Sequence, residues 1–290
     1  MKDRGGLLKR LELKEYPQPK VWSLRHPVLL CHGFGAIGSL VKPSPLHDPC
    51  MWMREHGLLA FAPNIVPYAP IEVRARSWTR IITELSQQHS IPKFNVIAHS
   101  MGGLDMRYAL AHLGIGEKVA SLTTIATPHK GTYLADFVRN TPEALSERIG
   151  EIVDWFADNV YVKERNDAFG SVEQLTRKYV QEYFNPNTPN PAAIPIFSYS
   201  AAVGKGTQNP LNPVFLFQNN LIHEKEGPND SFVSVESAQW GEHLGTIRLS
   251  HLNQINVQVG TREAKKRYNK FWIGLIAVSY THLRAHETHN

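Results

Sequence analysis

The chain of 290 residues, 42% hydrophobic and 10% aromatic, has enough apolar side chain for one large or two small packed domains, which excludes a disordered class. Its net charge of +5 is concentrated in two places, five Lys/Arg against two Asp/Glu in residues 1–14 and five against one in residues 262–270, and the remainder sums to −2. These ends read as solvated basic faces or as a site of transient attraction to a lipid interface; without a basic stripe interleaved with aromatics, nucleic acid is not an expected partner.

The first 20 residues are charged and lack the apolar core of about 7 to 15 residues that a secretory signal needs. The default expectation is therefore a cytoplasmic protein, or a secreted one if the start is incomplete. No window approaches about 18 consecutive apolar residues, so no transmembrane segment is expected.

"HPVLLCHGFG" predicts a buried strand at Val28 to Cys31 ending in a glycine loop, and "GLLAFAPNI" a second near Leu58 to Ala62. Between them, "HDPCMWMREHG" predicts a helix with Asp48 as N-cap and Pro49 at its first position, closed by Gly57. Cys31 lies in an apolar run and suits a buried small hydrophobe; it could pair with Cys50 or both could remain free.

"EVRARSWTRIITELSQQHS" places Trp78, Ile81, Ile82 and Leu85 at helical spacing before a strand Asn95 to Ala98. A helix to about Leu113 follows Ser100, then a strand Val119 to Thr127. Strands alternating with helices predict a mostly parallel sheet covered on both faces.

Residues 141 to 184 read as helical throughout, one stripe being Leu145, Ile149, Ile152, Val153 and Phe156, with "SVEQLTRKYVQEYF" as a further helix. This insertion, about 141–190, is expected to cap the sheet edge as a lid or as a fixed helical cap. "IPIFSYS" resumes the sheet, Gly245 to Leu249 forms a late strand, and "TREAKKRYNKFWIGLIA" is the last helix. Val278 to Thr288 resembles a translated sequencing adapter. Residues 278–290, with His282, His286 and His289, are therefore set aside from a single domain spanning 1–277.

The stretch "FNVIAHSMGGLDMRY" places a serine at the hinge between strand and helix. It reads either as a tight connection built of small residues or as a nucleophile elbow. Small-x-Ser-x-Gly alone arises by chance in roughly one chain of this length in five, so the surroundings must decide. Acyl transfer needs a nucleophile, a base, a group that orients the base, and donors for an oxyanion.

Ser100 opens a helix whose first amides are free, and Ala98 meets the need for a small residue where strand and helix backbones approach. The "HGF" loop after the first strand would supply the second donor, which assigns the oxyanion hole to the amides of Phe34 and Met101. Asp230 sits in the polar turn of "GPNDSFVSVES". His243 and His251 both follow it, and His251 is preferred because it comes after the late strand. His99 is expected to point away from the site in a structural role.

With these residues in place, the chain resembles bacterial triacylglycerol lipases of the α/β-hydrolase superfamily, close to the Pseudomonas and Burkholderia group. The matching pieces are "HPVLLCHGFG", "FNVIAHSMGGLDMRY", "SLTTIATPHKGT", "SVEQLTRKYVQEYF", "NDSFV" and "SHLNQIN", in the family's order. The resemblance implies Ser100 as nucleophile, Asp230 as orienting acid, His251 as base, and Phe34 with Met101 as oxyanion amides.

It also implies a lipid or small ester substrate and no organic cofactor. That group holds a structural calcium with two aspartates; here one position is Asn253 and the other falls near Asn209. Neutral amides bind calcium poorly, so no metal is expected. Alternatives to a lipase are an esterase for soluble short-chain esters, an amidase or peptidase using the same triad, and a non-catalytic lipid-binding protein on the same scaffold.

Overall fold

A computed structural model of the protein describes residues 24–33, 44–66, 69–140, 170–256 and 262–287. Six strands form one all-parallel sheet: β1 (Val28–Cys31), β2 (Ala60–Phe61), β3 (Phe94–His99), β4 (Val119–Ile125), β5 (Ile196–Ala201) and β6 (Glu242–Ile247). The labelled helices are α1 (His47–Glu55), α2 (Ile71–Gln88), α3 (Gly102–His112), α4 (Tyr133–Asn140), α5 (Leu216–Glu226) and α6 (Arg262–Glu287). None of these helices has a described stretch apolar enough to cross a membrane.

Side chains of successive strand residues alternate between the two faces, and each face has its own core. Leu29, Cys31, Val96, Ala98 and Leu122 pack with Trp78 and Ile82 of α2 and Met106 and Leu110 of α3. On the other face Val28, Leu30, Ile97 and Ile125 pack with Cys50 and Met53 of α1 and Tyr268 and Trp272 of α6. The predicted stripe on α2 is real: Trp78 and Ile82 are fully buried, with Ile81 and Leu85 packed at the margin. Each large apolar side chain buried in this way contributes about 1.5–3 kcal/mol. Cys31 and Cys50 are free and buried, and they lie in cores on opposite faces of the sheet.

Several boundaries differ from the sequence reading. The first residue of α1 is His47 and its cap position is Leu46, so Asp48 lies inside the first turn, where its carboxylate accepts from Asn256. β2 is only two residues long and soon meets Pro63, which has no N–H to donate to a ladder. β4 stops at Ile125 because Ala126 turns to φ +48. β6 begins and ends earlier than expected. Gly245, read as its start, instead lies inside it at φ +145, where the pairing with β5 shifts register.

The cap helix stripe, Leu145 to Phe156, lies outside the described residues. The helix expected over "SVEQLTRKYVQEYF" is broken by a turn at 174–176, where the Leu175 carbonyl accepts from Thr132 N at 2.9 Å instead of continuing a helix. Beyond the break, Tyr179–Phe184 winds with π-helical spacing and runs into a short helical turn, Asn185–Asn187, where a loop had been expected. The last helix continues through 278–287.

The sheet order is β2-β1-β3-β4-β5-β6. The chain leaves β1 toward β2 and later returns to place β3 on β1's other side. The strand order therefore reverses between β1 and β3, and in open α/β sheets ligands bind at the strands' carboxyl ends beside such a switch point.

Candidate active site

Ser100 occupies the turn between β3 and α3 with φ +56, a left-handed conformation that a non-glycine residue adopts only when its surroundings hold it. The surroundings are visible. Ser100 N donates to Ile125 O at 2.9 Å, and Ser100 O accepts from Gly103 N at 3.0 Å and from the Thr127 hydroxyl at 2.7 Å.

The small residues of the motif are steric requirements. A Cβ on Gly102 would stand 2.8 Å from His32 O, and one on Gly103 would collide with the Thr127 side chain. Ala98 is fully buried between Cys31 of β1 and Thr124 of β4. The same logic applies to Gly33 after β1: a Cβ there would lie 2.6 Å from Ser100 Cβ, 2.8 Å from His99 O and 2.9 Å from Met101 N.

The β1 exit is clamped from behind. The Arg74 guanidinium donates from Nη2 to His32 O, from Nη1 to Val66 O and from Nε to Asp105 Oδ2, all at 2.9 Å. His32 accepts Ile65 N on Nε2 at 3.2 Å, so its hydrogen sits on Nδ1, 2.9 Å from Gly33 O. Burial and the neighbouring Arg74 push its pKa down to about 3, so the ring is neutral. Met101 presents its amide at the start of α3, where the first helical bonds come from Gly103 and Leu104. Phe34 lies outside the described residues.

His251 follows β6 after a short loop, and its Nε2 is 2.9 Å from Ser100 Oγ. Its Nδ1 is 2.7 Å from Asp230 Oδ2, and its backbone N donates to Asp230 O at 3.0 Å. Asp230 is fully buried, yet its carboxylate is matched by four donors. Oδ1 accepts from the amides of Phe232 at 3.0 Å and Val233 at 2.8 Å, while Oδ2 accepts from His251 and from Gln254 Nε2 at 2.8 Å. Such donors replace the water that a buried charge has lost.

The Asp230 loop is held by Asn229, which accepts from Ser231 N at 2.9 Å and from Asn219 Nδ2 at 2.8 Å. Ser231 is at φ +85, a strained conformation that this polar scaffold maintains. Phe232 stacks on the His251 ring with centroids 5.1 Å apart.

Ser100, Asp230 and His251 thus form one hydrogen-bonded line. His243, the competing histidine, is in β6 with its ring nitrogens 3.4 Å from the hydroxyls of Ser198 and Ser200. His99 corrects the sequence reading: it does not point away but packs beside His251, with ring centroids 4.7 Å apart. Gln254 and Phe232 were not singled out from sequence, because only the folding of the Asp230 loop against the turn after His251 sets Gln254 on Asp230 and Phe232 on His251. Asn253 accepts from the Ser250 hydroxyl at 2.7 Å and Asn209 donates to Ala202 O at 3.2 Å. Among the described residues no group of three or more His, Cys, Asp or Glu is arranged to hold a metal.

Comparison with known proteins agrees with this architecture. A family model described as alpha/beta hydrolase fold matches residues 69–194. Triacylglycerol lipase 2 of Saccharomyces cerevisiae is 32% identical over 71% of this chain, which spans 60% of the yeast protein's length. A triacylglycerol lipase of Burkholderia plantarii is 28% identical over 83% of this chain and 81% of its own. The Staphylococcus hyicus lipase structure superimposes with a TM-score of 0.65 at 17% identity, covering 94% of this chain and 99% of that one. The chain has the α/β-hydrolase fold and resembles triacylglycerol lipases.

Proposed function

We propose that this α/β-hydrolase-fold protein is a serine carboxylic-ester hydrolase acting on lipid esters, in the manner of a triacylglycerol lipase. The observation that carries the reading is the line from Ser100 Oγ through the His251 ring to Asp230, with links of 2.9 and 2.7 Å.

In this mechanism His251 Nε2 takes the Ser100 proton as Oγ attacks the acyl carbon. Asp230 holds the hydrogen on Nδ1 and stabilises the imidazolium that forms. The amide of Met101, with that of Phe34, receives the developing oxyanion, and losing one such donor costs ~10²- to 10³-fold in rate. His251 then protonates the leaving alcohol, and a water molecule deprotonated by the same ring releases the acid from Ser100. All steps are proton transfers and acyl substitution, so no cofactor enters. Asn253, at one of the positions where the related lipases hold calcium, is neutral and its Oδ1 already accepts from Ser250, and Asn209, near the other, is neutral too; we assign no metal to them.

A fluorophosphonate probe should label Ser100, and labelling should vanish in Ser100→Ala and His251→Ala. A hydrolysis profile over p-nitrophenyl esters of increasing chain length, with emulsified triacylglycerol included, tests the substrate class. Activity on the emulsion supports the lipase reading. Preference for acetate with none on the emulsion would leave an esterase for soluble esters, and faster turnover of the isosteric amide would make the protein an amidase.

A further inference from the structure

Two buried polar side chains that the acyl-transfer steps leave unused lie beside the acid and the base. Gln254 is fully buried on the turn that follows His251. Its main chain is pinned at both ends, with N donating to Ser250 O at 3.2 Å and O accepting from the Trp272 indole at 3.1 Å. Its side-chain amide spans from Asp230 Oδ2, 2.8 Å from Nε2, to His99 Nε2, 3.0 Å from Oε1.

The polarity of this bridge follows from its acid end. An ionised carboxylate can only accept, so Gln254 must turn its NH2 toward Asp230 and its oxygen toward His99. His99 must then carry a hydrogen on Nε2. His99 is buried in the last position of β3, next to Ser100, so strand pairing fixes where that donor stands. Burial, with His251 nearby, holds the His99 pKa well below its ordinary value. A neutral ring there puts no second cation 4.7 Å from the imidazole that must become charged.

We propose that Gln254 and His99 are positioning residues for the acid–base pair, His99 anchoring the oxygen end of the Gln254 amide and Gln254 aligning Asp230 Oδ2 with His251 Nδ1. Oδ2 is the oxygen that His251 uses, whereas both backbone donors hold Oδ1. The amide is thus the side-chain restraint on the catalytically engaged oxygen. Without the His99 N–H the amide oxygen loses its partner, and the side chain that holds Oδ2 is tethered at its Asp230 end alone. The bridge touches no ester, so it acts on kcat and on the nucleophilicity of Ser100, not on KM.

This inference rests on the hydrolase reading, and wild-type labelling of Ser100 separates the two. On p-nitrophenyl butyrate, Gln254→Met and His99→Phe are each expected to lower kcat roughly tenfold with KM within about twofold, and to slow fluorophosphonate labelling of Ser100 in proportion. His99→Gln, whose amide nitrogen can reach the position of the imidazole Nε2, should recover kcat to within about threefold of wild type. Thermal midpoints identify any variant that fails to fold, and if Gln254→Met does so, the His99 pair decides. Full kcat in folded Gln254→Met, or His99→Gln as slow as His99→Phe, would overturn the proposal while leaving the hydrolase reading intact. A wild-type protein that takes up no fluorophosphonate would remove both.

Discussion

Replacing Gly33 by alanine probes the geometry on which the active-site reading depends. The residue is buried between the β1 exit and the Ser100 turn, and its added methyl would meet Ser100 Cβ at 2.6 Å, His99 O at 2.8 Å and Met101 N at 2.9 Å. Ordinary van der Waals contact begins near 3.4 Å, so all three atoms are too close, and the two that are not Ser100 Cβ belong to backbone. Relief requires a separation of roughly 0.5–1 Å between the loop after β1 and the turn after β3.

That movement shifts Ser100 Oγ relative to His251 Nε2, now 2.9 Å away, or shifts the Gly33 peptide relative to the Met101 amide. A misplacement near 1 Å costs ~10²-fold in rate, equivalent to about 2.7 kcal/mol of transition-state stabilisation. The expected result for Gly33→Ala is therefore a ~10²-fold fall in kcat/KM on p-nitrophenyl butyrate, with a stability loss of about 1–3 kcal/mol by thermal denaturation. Gly274→Ala, in α6 with open space at its Cβ, serves as the control and should leave kcat/KM unchanged. A folded Gly33→Ala protein with kcat/KM within threefold of wild type would refute the claim that the β1 exit and the nucleophile turn are in catalytic register.

Two further outcomes follow from buried ionisable groups. Burial pushes the Asp105 carboxyl up from 3.8 to about 6, against the pull of Arg74, and its Oδ1 has no partner among the described residues. A raised folded pKa means that the native state holds this proton more tightly, so the contribution is present below about pH 4 and is lost as pH rises through about 6. The full change is about 3 kcal/mol. Denaturant unfolding of wild type and Asp105→Asn between pH 4 and 7 should show that slope in the difference between them, and parallel curves would contradict it. The thiols of Cys31 and Cys50 are both raised by burial, so iodoacetamide should modify the native protein at least ~100-fold more slowly than the unfolded chain. Rapid alkylation of native protein, read by intact mass, would place one of them at the surface.

The sequence by itself determined the layered α/β architecture, because hydrophobic period and breakers are local. Buried strands such as "VLLC" and "FNVIAH" are short apolar runs, and the α2 stripe from Trp78 to Leu85 repeats at helical spacing. The strand–turn–helix around Ser100 was legible for the same reason, since Ala98, Gly102 and Gly103 mark where backbones approach closely. The chain order of Ser100, Asp230 and His251 was legible too, but nothing local distinguishes His251 from His243 except its place after β6.

Only the tertiary structure decided what depends on partners far along the chain. β4 ends where Ala126 turns to positive φ and Thr127 reaches Ser100 O, and the helix after Ser171 gives way to a turn where the Leu175 carbonyl accepts from Thr132 N. His99, expected to face away, is turned beside His251 by a bond to Gln254, 155 residues later in the chain. Gln254 reaches Asp230 across 24 residues and His251 reaches Ser100 across 151. A polar side chain's direction is set by whichever donor or acceptor folding brings within about 3 Å, and no periodicity in the sequence encodes that.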